Sequence, residues 1–322
     1  MPHTDRTHDV VGIGCCALDI TFELESYPEP DQKVRAPGFG MQGGGLVATA
    51  LVAVARLGGK SAFIASLGDD SLAQFAVDEL RDQGVDVRYI RRVPGKSILT
   101  ALIIADRSAG TRTVLFSEQH QPRTEPEQVT EELVGSARCL HVDNFQPEAA
   151  AKAAEIARST GVPVTVDLET GGKEADILLE LGEYVIVSLD FVRDRFGSEG
   201  MEEGARALFE KISCHGGRVA VVTNGDQGAF LKAADLKHFQ PAYSVDVVDS
   251  TGCGDVFHGA FALGVARGWD LKTIMRVSSA TAALKTRKLG GRAGIPDMEE
   301  VTRFLENRDG TVVSTDRPSG EV

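Results

Sequence analysis

The sequence predicts an α/β protein whose body is a doubly wound, mainly parallel sheet, with a small β-sheet lid beside it. Three observations carry this reading. From about residue 126, short β-branched runs alternate with runs of helical length, which implies parallel strands covered by crossover helices on both faces. Two glycine-rich turns, at 43–45 and 252–254, each open a helix of small apolar residues. Residues 10–40 and 87–117 hold strand-like segments with less helix between them, so part of these stretches, about 15–40 and 95–117, is expected to form the lid.

In chain order, a polar tail over 1–8 precedes a buried strand at 10–16. Gly12-x-Gly14-x-x-Ala17 imitates a dinucleotide fingerprint, but that motif needs a helix next. The period-two run at 19–25 reads as a strand instead. Gly43-Gly44-Gly45 opens a helix over 46–57, apolar on nearly every side and therefore buried. Close packing against a second helix is the simplest use of so many small residues. A strand at 61–67 leads through the capping turn Gly68-Asp69-Asp70-Ser71 to a helix at 72–83. Strands follow at 87–93, 99–105 and 111–117, the last two as a hairpin. Gly95-Lys96-Ser97 is not a P-loop, because Ile90 stands where that motif needs glycine.

Beyond 126, strands are expected at 139–143, 162–167, 184–188 and 219–223, with helices at 148–159, 175–181 and 202–212. Asp143, Asp167, Ser188, Thr223 and Asp249 then stand at strand ends, along the edge where such sheets bind ligands. A last strand at 243–248 meets the second glycine turn. Helices at 257–266, 271–287 and 298–305 complete a domain of residues 9–306, and 307–322 lacks periodicity and is expected to be disordered.

The turn Asp249-Ser250-Thr251-Gly252-Cys253-Gly254-Asp255 carries the chemistry. A strand, a glycine turn and a helix stack backbone N–H groups at the positive end of a helix dipole, which is a site for an anion. Asp255 puts a carboxylate beside that site. It serves either as a helix cap or as a base that takes a proton from an attacking hydroxyl. His258, within an apolar helix, reads as a packed histidine. His120 and Arg123 read as solvated, and Asp167 and Asn144 either bind hydroxyls or cap helices.

Composition narrows the classes. The chain has 322 residues, 42% hydrophobic content and a net charge of -13 without a basic run, which argues against nucleic acid and anionic membranes as partners. No apolar stretch approaches a membrane span, and no secretory leader is expected from the polar residues 1–9. Five cysteines, an odd number in mostly apolar runs, read as reduced thiols of a cytoplasmic protein, and no His/Cys spacing suits zinc.

Two separated motifs, in order, resemble the ribokinase or PfkB family of carbohydrate and nucleoside kinases. The first runs from Gly44-Gly45-Leu46-Val47-Ala48-Thr49-Ala50 through Gly58 to Gly68-Asp69-Asp70, and the second is Asp249–Asp255. The resemblance implies a ribokinase-like fold and transfer of the γ-phosphoryl group of ATP, with Mg2+, to a hydroxymethyl group. It implies Asp255 as base and the backbone of Gly252, Cys253 and Gly254 as the anion hole. Asp19, Lys33, Gly43, Gly44, Gly45, Thr49 and Asn144 would bind the sugar. Ser188, Thr223, Gly225 and Gly228 would bind the nucleotide. Asp249, Thr251, Arg287 and Gly294 would hold a monovalent cation such as K+. The lid would form a homodimer.

Several residues depart from the family pattern. Thr49 stands for Asn, Leu46 for Lys and Cys253 for Ala, and Ser188-Leu189-Asp190-Phe191 falls where N-x-x-E organises Mg2+, leaving Asp190 as a substitute. Gly290-Gly291-Arg292-Ala293-Gly294-Ile295-Pro296, Phe239-Gln240-Pro241-Ala242 and Val256-Phe257-His258-Gly259-Ala260 are similar to sulfofructose kinases. That subfamily grips its sulfonate with three polar residues. Only Lys33 matches, with Phe116 and Phe145 at the other two positions, and one cation satisfies a buried sulfonate poorly. A neutral ketose, polyol or related sugar is therefore expected over sulfofructose. A nucleoside kinase would want stacking aromatics, and the chain has 6%. A non-catalytic sugar or nucleotide sensor would have no need of Asp255.

Overall fold

The computed structural model describes residues 6–309 apart from Gly110. Seven parallel strands form its frame: β1 (His8–Ile13), β4 (Ser61–Gly68), β5 (Ile90–Val93), β8 (Ala137–Asp143), β9 (Val164–Leu168), β10 (Tyr184–Ser188) and β11 (Val219–Thr223). β12 (Ala229–Ala233) and β13 (Lys237–Gln240) extend it antiparallel, giving the order β13-β12-β11-β10-β9-β8-β1-β4-β5. Alternate side chains feed two separate cores. Val10, Val219 and Val221 point to one, and Val11, Ala220 and Val222 to the other.

The first core is closed by α1 (Leu46–Arg56), α2 (Ser71–Asp82), α8 (Cys253–Arg267), α9 (Leu271–Lys285) and α10 (Met298–Asp309). The second is closed by α3 (Glu131–Gly135), α4 (Pro147–Thr160), α5 (Lys173–Leu181), α6 (Leu189–Phe196) and α7 (Met201–Ser213). The small residues of α1 and α8 have a packing use. A Cβ on Gly259 would lie 2.2 Å from the Ala50 carbonyl oxygen, so the two helices meet backbone to backbone.

The lid is a second sheet of β2 (Ala17–Leu24), β3 (Gly38–Gly44), β6 (Leu99–Asp106) and β7 (Thr111–Ser117), in the order β3-β2-β6-β7. Register places Asp19, Gln42, Ala101 and Phe116 on one face, and Ile20, Met41, Leu102 and Leu115 on the other.

Several expectations are corrected. The strand expected at 87–93 is shorter, at 90–93, and pairs with β4 in the main sheet. Gly43 and Gly44 end β3, and only Gly45 caps α1. Residues 243–248 are not a strand. The Val248 and Asp249 N–H groups donate to the Thr286 carbonyl after α9, at 2.8 and 3.0 Å, so they join no ladder. β12, β13 and α6 were not expected. α10 continues to Asp309, so the tail begins no earlier than 310 and lies outside the described residues.

Candidate active site

The crevice forms where β8, β9, β10 and β11 end, beneath the lid. Gly252 starts α8 in the left-handed conformation, φ 73°, which residues with a Cβ avoid. A Cβ there would also lie 2.9 Å from the Gly291 carbonyl oxygen. The Asp249 carboxylate shapes the turn. It accepts from the Thr251 N–H at 2.8 Å, the Thr251 hydroxyl at 2.7 Å and the Gly290 N–H at 2.7 Å. Three such donors hold its carboxyl below the usual range against the cost of burial. The 249–254 turn and the 286–296 loop are thereby fixed to each other.

Asp255 lies in the first turn of α8 and is half-buried. Burial, with the carboxylates of Glu169 and Asp19, pushes its carboxyl up to about 7, against the pull of Arg292. At neutral pH it therefore exchanges a proton readily, as a base requires. Behind it, Asp143 is fully buried, accepts from the Cys15 and Phe145 N–H groups at 2.7 and 2.8 Å, and is pushed up to about 7 by burial. A Cβ on Gly14 would overlap that carboxylate at 2.4 Å, so the false fingerprint glycine makes room for Asp143. Asp167 is raised well above its ordinary value by burial and then by the Asp255 carboxylate. Its Oδ2 lies 3.4 Å from Nδ1 of His258, which burial keeps neutral beside His141, as the packed-histidine reading expected.

A buried cation organises the sugar side. Arg292 is 5% exposed. Its Nε donates to the Thr49 hydroxyl at 3.2 Å and its Nη2 to the Gly44 carbonyl at 2.7 Å, while Nη1 is 3.6 Å from Glu79 Oε1. Glu79 also accepts from the Gly43 N–H. A Cβ on Gly43 would strike Arg292 at 2.0 Å, and one on Gly44 would strike the Asp19 carboxylate at 2.4 Å. Asp19 is pushed up to about 6 by burial, with Arg292 opposing and Glu79 adding. The structure thus brings together Asp19, Gly43, Gly44 and Thr49, but Thr49 is 1% exposed and spends its hydroxyl on Arg292. Asn144 donates to Thr170 and keeps a buried, unpartnered Oδ1. Lys33 is exposed and makes no ion pair or hydrogen bond, and Gly45 (φ 90°) packs on the Cys15–Cys16 backbone. Arg123 is not merely solvated, since it donates to the Phe145 carbonyl at 2.9 Å.

At the neighbouring strand ends, Ser188 caps α6 by accepting from the Phe191 N–H, and Thr223 donates to the Val187 carbonyl. Gly225 and Gly228 take positive φ around a short 3-10 turn, and a Cβ on Gly228 would lie 2.3 Å from the Gln240 carbonyl.

A family model described as pfkB family carbohydrate kinase matches residues 7–298. The chain belongs to that family of carbohydrate kinases. Among its relatives, an ATP-dependent ribose-1-phosphate kinase of Halopiger xanaduensis is 27% identical over 93% of this chain and 98% of that protein. A ribokinase of Haemophilus influenzae is 24% identical over 92% of this chain and 97% of that protein. The structure of Arabidopsis thaliana ribokinase complexed with ribose and ATP superposes with a TM-score of 0.81, at 23% identity, over 93% of this chain and 99% of that one. The protein is thus a carbohydrate kinase of ribokinase-like fold. Among the described residues, no helix is long and apolar enough to cross a membrane.

The pfkB kinase departs from expectation at both ion sites. Asp190 is exposed and paired with Arg193 at 2.6 Å, so it is turned to other use. Glu169, just past β9, is exposed, and its charge raises the carboxyls of Asp255, Asp143 and Asp167, which couples it to the crevice. A carboxylate there fits Mg2+, which keeps several waters and needs one or two protein oxygens besides the phosphates. The monovalent cation fits less well. Lys285, fully buried, donates from Nζ to the Asp249 carbonyl at 3.0 Å and to the Thr251 carbonyl, two of the groups expected to hold K+. Arg287 is exposed and lines a depression of about 390 Å³ with Gly294 and α10.

Sequence reasoning missed Arg292, Glu79, Lys285, Glu169 and Arg112. Arg112, on the lid, reaches Ser250 of the anion turn at 3.1 Å. Arg292 stood within a quoted motif. Glu79, Lys285 and Arg112 carry no local signal, because their hydrogen-bond partners are 34 or more positions away in sequence, and Glu169 stands in no motif.

Proposed function

We propose that Asp255 takes the proton from a hydroxymethyl group of a ketose or related sugar while the backbone N–H groups of 252–255 stabilise the γ-phosphoryl group in flight. The observation that carries this is Asp255 itself, a carboxyl near 7 one turn inside a helix that opens on a left-handed glycine. A fixed cage of N–H groups stabilises developing charge without reorganising, and this is usually the largest catalytic contribution. Asp19 adds repulsion to Asp255, which puts the two acids at one pocket, with Asp19 oriented to accept from sugar hydroxyls. The 223–228 turn and Ser188 line the nucleotide half. Glu169 would hold the Mg2+ that accompanies ATP, and that ion would supply charge neutralisation.

A neutral substrate is favoured by the state of Arg292. Its charge is already met by Glu79, and two of its nitrogens are spent on Thr49 and Gly44. Asp19 and Asn144 Oδ1 are acceptors, which suit hydroxyl donors and repel a sulfonate. The test is ADP release across neutral ketoses, polyols, sugar acids, sulfosugars and nucleosides. The highest kcat/KM is expected for a neutral sugar with a free hydroxymethyl group. A sulfosugar or nucleoside at the top would overturn the substrate reading. Tight sugar binding without any turnover would leave the sensor.

The outer lid face supports a homodimer. Ile20, Phe22, Phe39, Met41, Leu102 and Leu115 share it, with Phe39 66% and Leu115 51% exposed. An apolar sheet face of this kind is a docking surface. Sedimentation at twice the chain mass checks it. Five unpaired thiols and dependence on ATP support a cytoplasmic location.

A further inference from the structure

Lys285 is 0% exposed at the last position of α9, an unusual place for an ammonium group. Its Nζ donates to the carbonyls of Asp249 and Thr251, which flank Ser250 in the turn before α8. The Asp249 carboxylate is not its partner, being held by Thr251 and Gly290. The loop after α9 closes over the lysine, since a Cβ on Gly294 would lie 2.1 Å from the Lys285 carbonyl oxygen. Two carbonyl oxygens turned inward on one positive charge are what a monovalent cation site offers. The ammonium occupies those oxygens, with the Asp249 and Asp255 carboxylates near enough to favour its charge, and a second cation on the same oxygens would meet it at contact distance.

We infer that the Lys285 ammonium is a built-in cation that holds the 249–254 turn in its anion-binding shape, so that this kinase turns over without K+. The inference rests on the reading of that turn as the phosphoryl site. The ammonium draws two carbonyls to one side. The Cys253 N–H donates to the Ser250 carbonyl at 3.2 Å, so the N–H groups of Gly252, Gly254 and Asp255 are the ones offered to an anion, and the fixed charge adds to the field there. A free ion would achieve the same only at sufficient concentration, whereas a tethered one is always present.

The test measures ADP release with the most active panel sugar, and Mg-ATP binding by calorimetry, in a buffer whose only cations besides Mg2+ are bulky organic amines. Wild-type protein is expected to change by less than about twofold on adding KCl, and Lys285→Met to lose about tenfold or more in ATP affinity and turnover, recovering with K+ or ammonium. Wild-type dependence on K+ would overturn the inference, and so would Lys285→Met matching wild type in K+-free buffer. Loss in the variant that no small cation restores would assign the lysine to packing alone, which also overturns it. If Lys285→Met does not fold, the wild-type titration decides by itself. Failure of the phosphoryl-site reading looks different: ATP binding and turnover would then survive changes at Asp255, whatever the response to K+.

Discussion

The anion turn and the sugar pocket are built by opposite means. The turn at 249–255 is contiguous and made of backbone, set by one left-handed glycine and one carboxylate with two donors from Thr251 and a third from Gly290 in the loop after α9. The proposed sugar pocket is made of side chains drawn from five places: Asp19 on β2, Thr49 on α1, Glu79 on α2, Asn144 after β8 and Arg292 after α9. A backbone site depends little on side-chain identity, since any residue but proline has an N–H. A side-chain site changes with it. The difference predicts that damage to the turn removes the chemistry, whereas damage to the pocket removes recognition.

Asp255→Asn gives the largest expected effect. Asn keeps the shape and cannot accept the proton, so kcat should fall by about 10²–10⁴ while the Kd for ATP holds. A loss below tenfold would remove Asp255 as the base. The wild-type acid limb of kcat/KM should report about 7, because only the ionised carboxylate works. Stability must run the other way. A carboxyl raised in the folded state stabilises fully below its unfolded value near 4, and that contribution is lost as pH rises through about 7. Asp255→Asn should therefore melt a few degrees above wild type at pH 8, with the gap closing below pH of about 4. Equal melting temperatures at pH 8 would mean the carboxylate is not strained in the resting enzyme.

Arg292→Gln is the matching test of the pocket. It removes one member of a buried pair and leaves Glu79 uncompensated, at a cost of about 3–5 kcal/mol in stability. Sugar KM should rise by about 10–100-fold with kcat falling less, because the phosphoryl turn is untouched. If kcat fell as far as in Asp255→Asn with KM unchanged, the division between the two regions would fail.

That division also explains what could be read from sequence. The sheet was legible because β8 to β11 are short apolar runs and the first three are each followed by a helix, and the turn was legible because its glycines, Asp249 and Asp255 are contiguous in sequence. The lid hairpin β6–β7 showed itself by alternation. β5 was expected within 87–93, but Ile90-Arg91-Arg92-Val93 is short and half polar, and only pairing with β4 shows which sheet it joins. Residues 243–248 looked like a strand by alternation, yet Val247 and Val248 are 63% and 62% exposed, and the neighbouring N–H groups bond a loop. Arg292 and Glu79 are 213 residues apart, and Lys285 is 36 from Asp249. No spacing rule connects such positions, so a pocket assembled from them is visible only in three dimensions.

Arg112 is where the two regions touch, and it gives the smallest expected effect. It belongs to β7, every residue of which is exposed, and its Nη1 donates to the Ser250 hydroxyl at 3.1 Å. One solvent-exposed hydrogen bond contributes on the order of 0.5–1.5 kcal/mol, or up to about tenfold. Arg112→Ala should thus lower kcat/KM by about 3–10-fold, mostly through sugar KM, with the melting temperature unchanged. The loss should shrink at high salt, where an exposed charge acts less. A fall in kcat beyond about a hundredfold would instead place the guanidinium on the phosphoryl group itself, and the lid would then supply part of the chemistry rather than only closing over it.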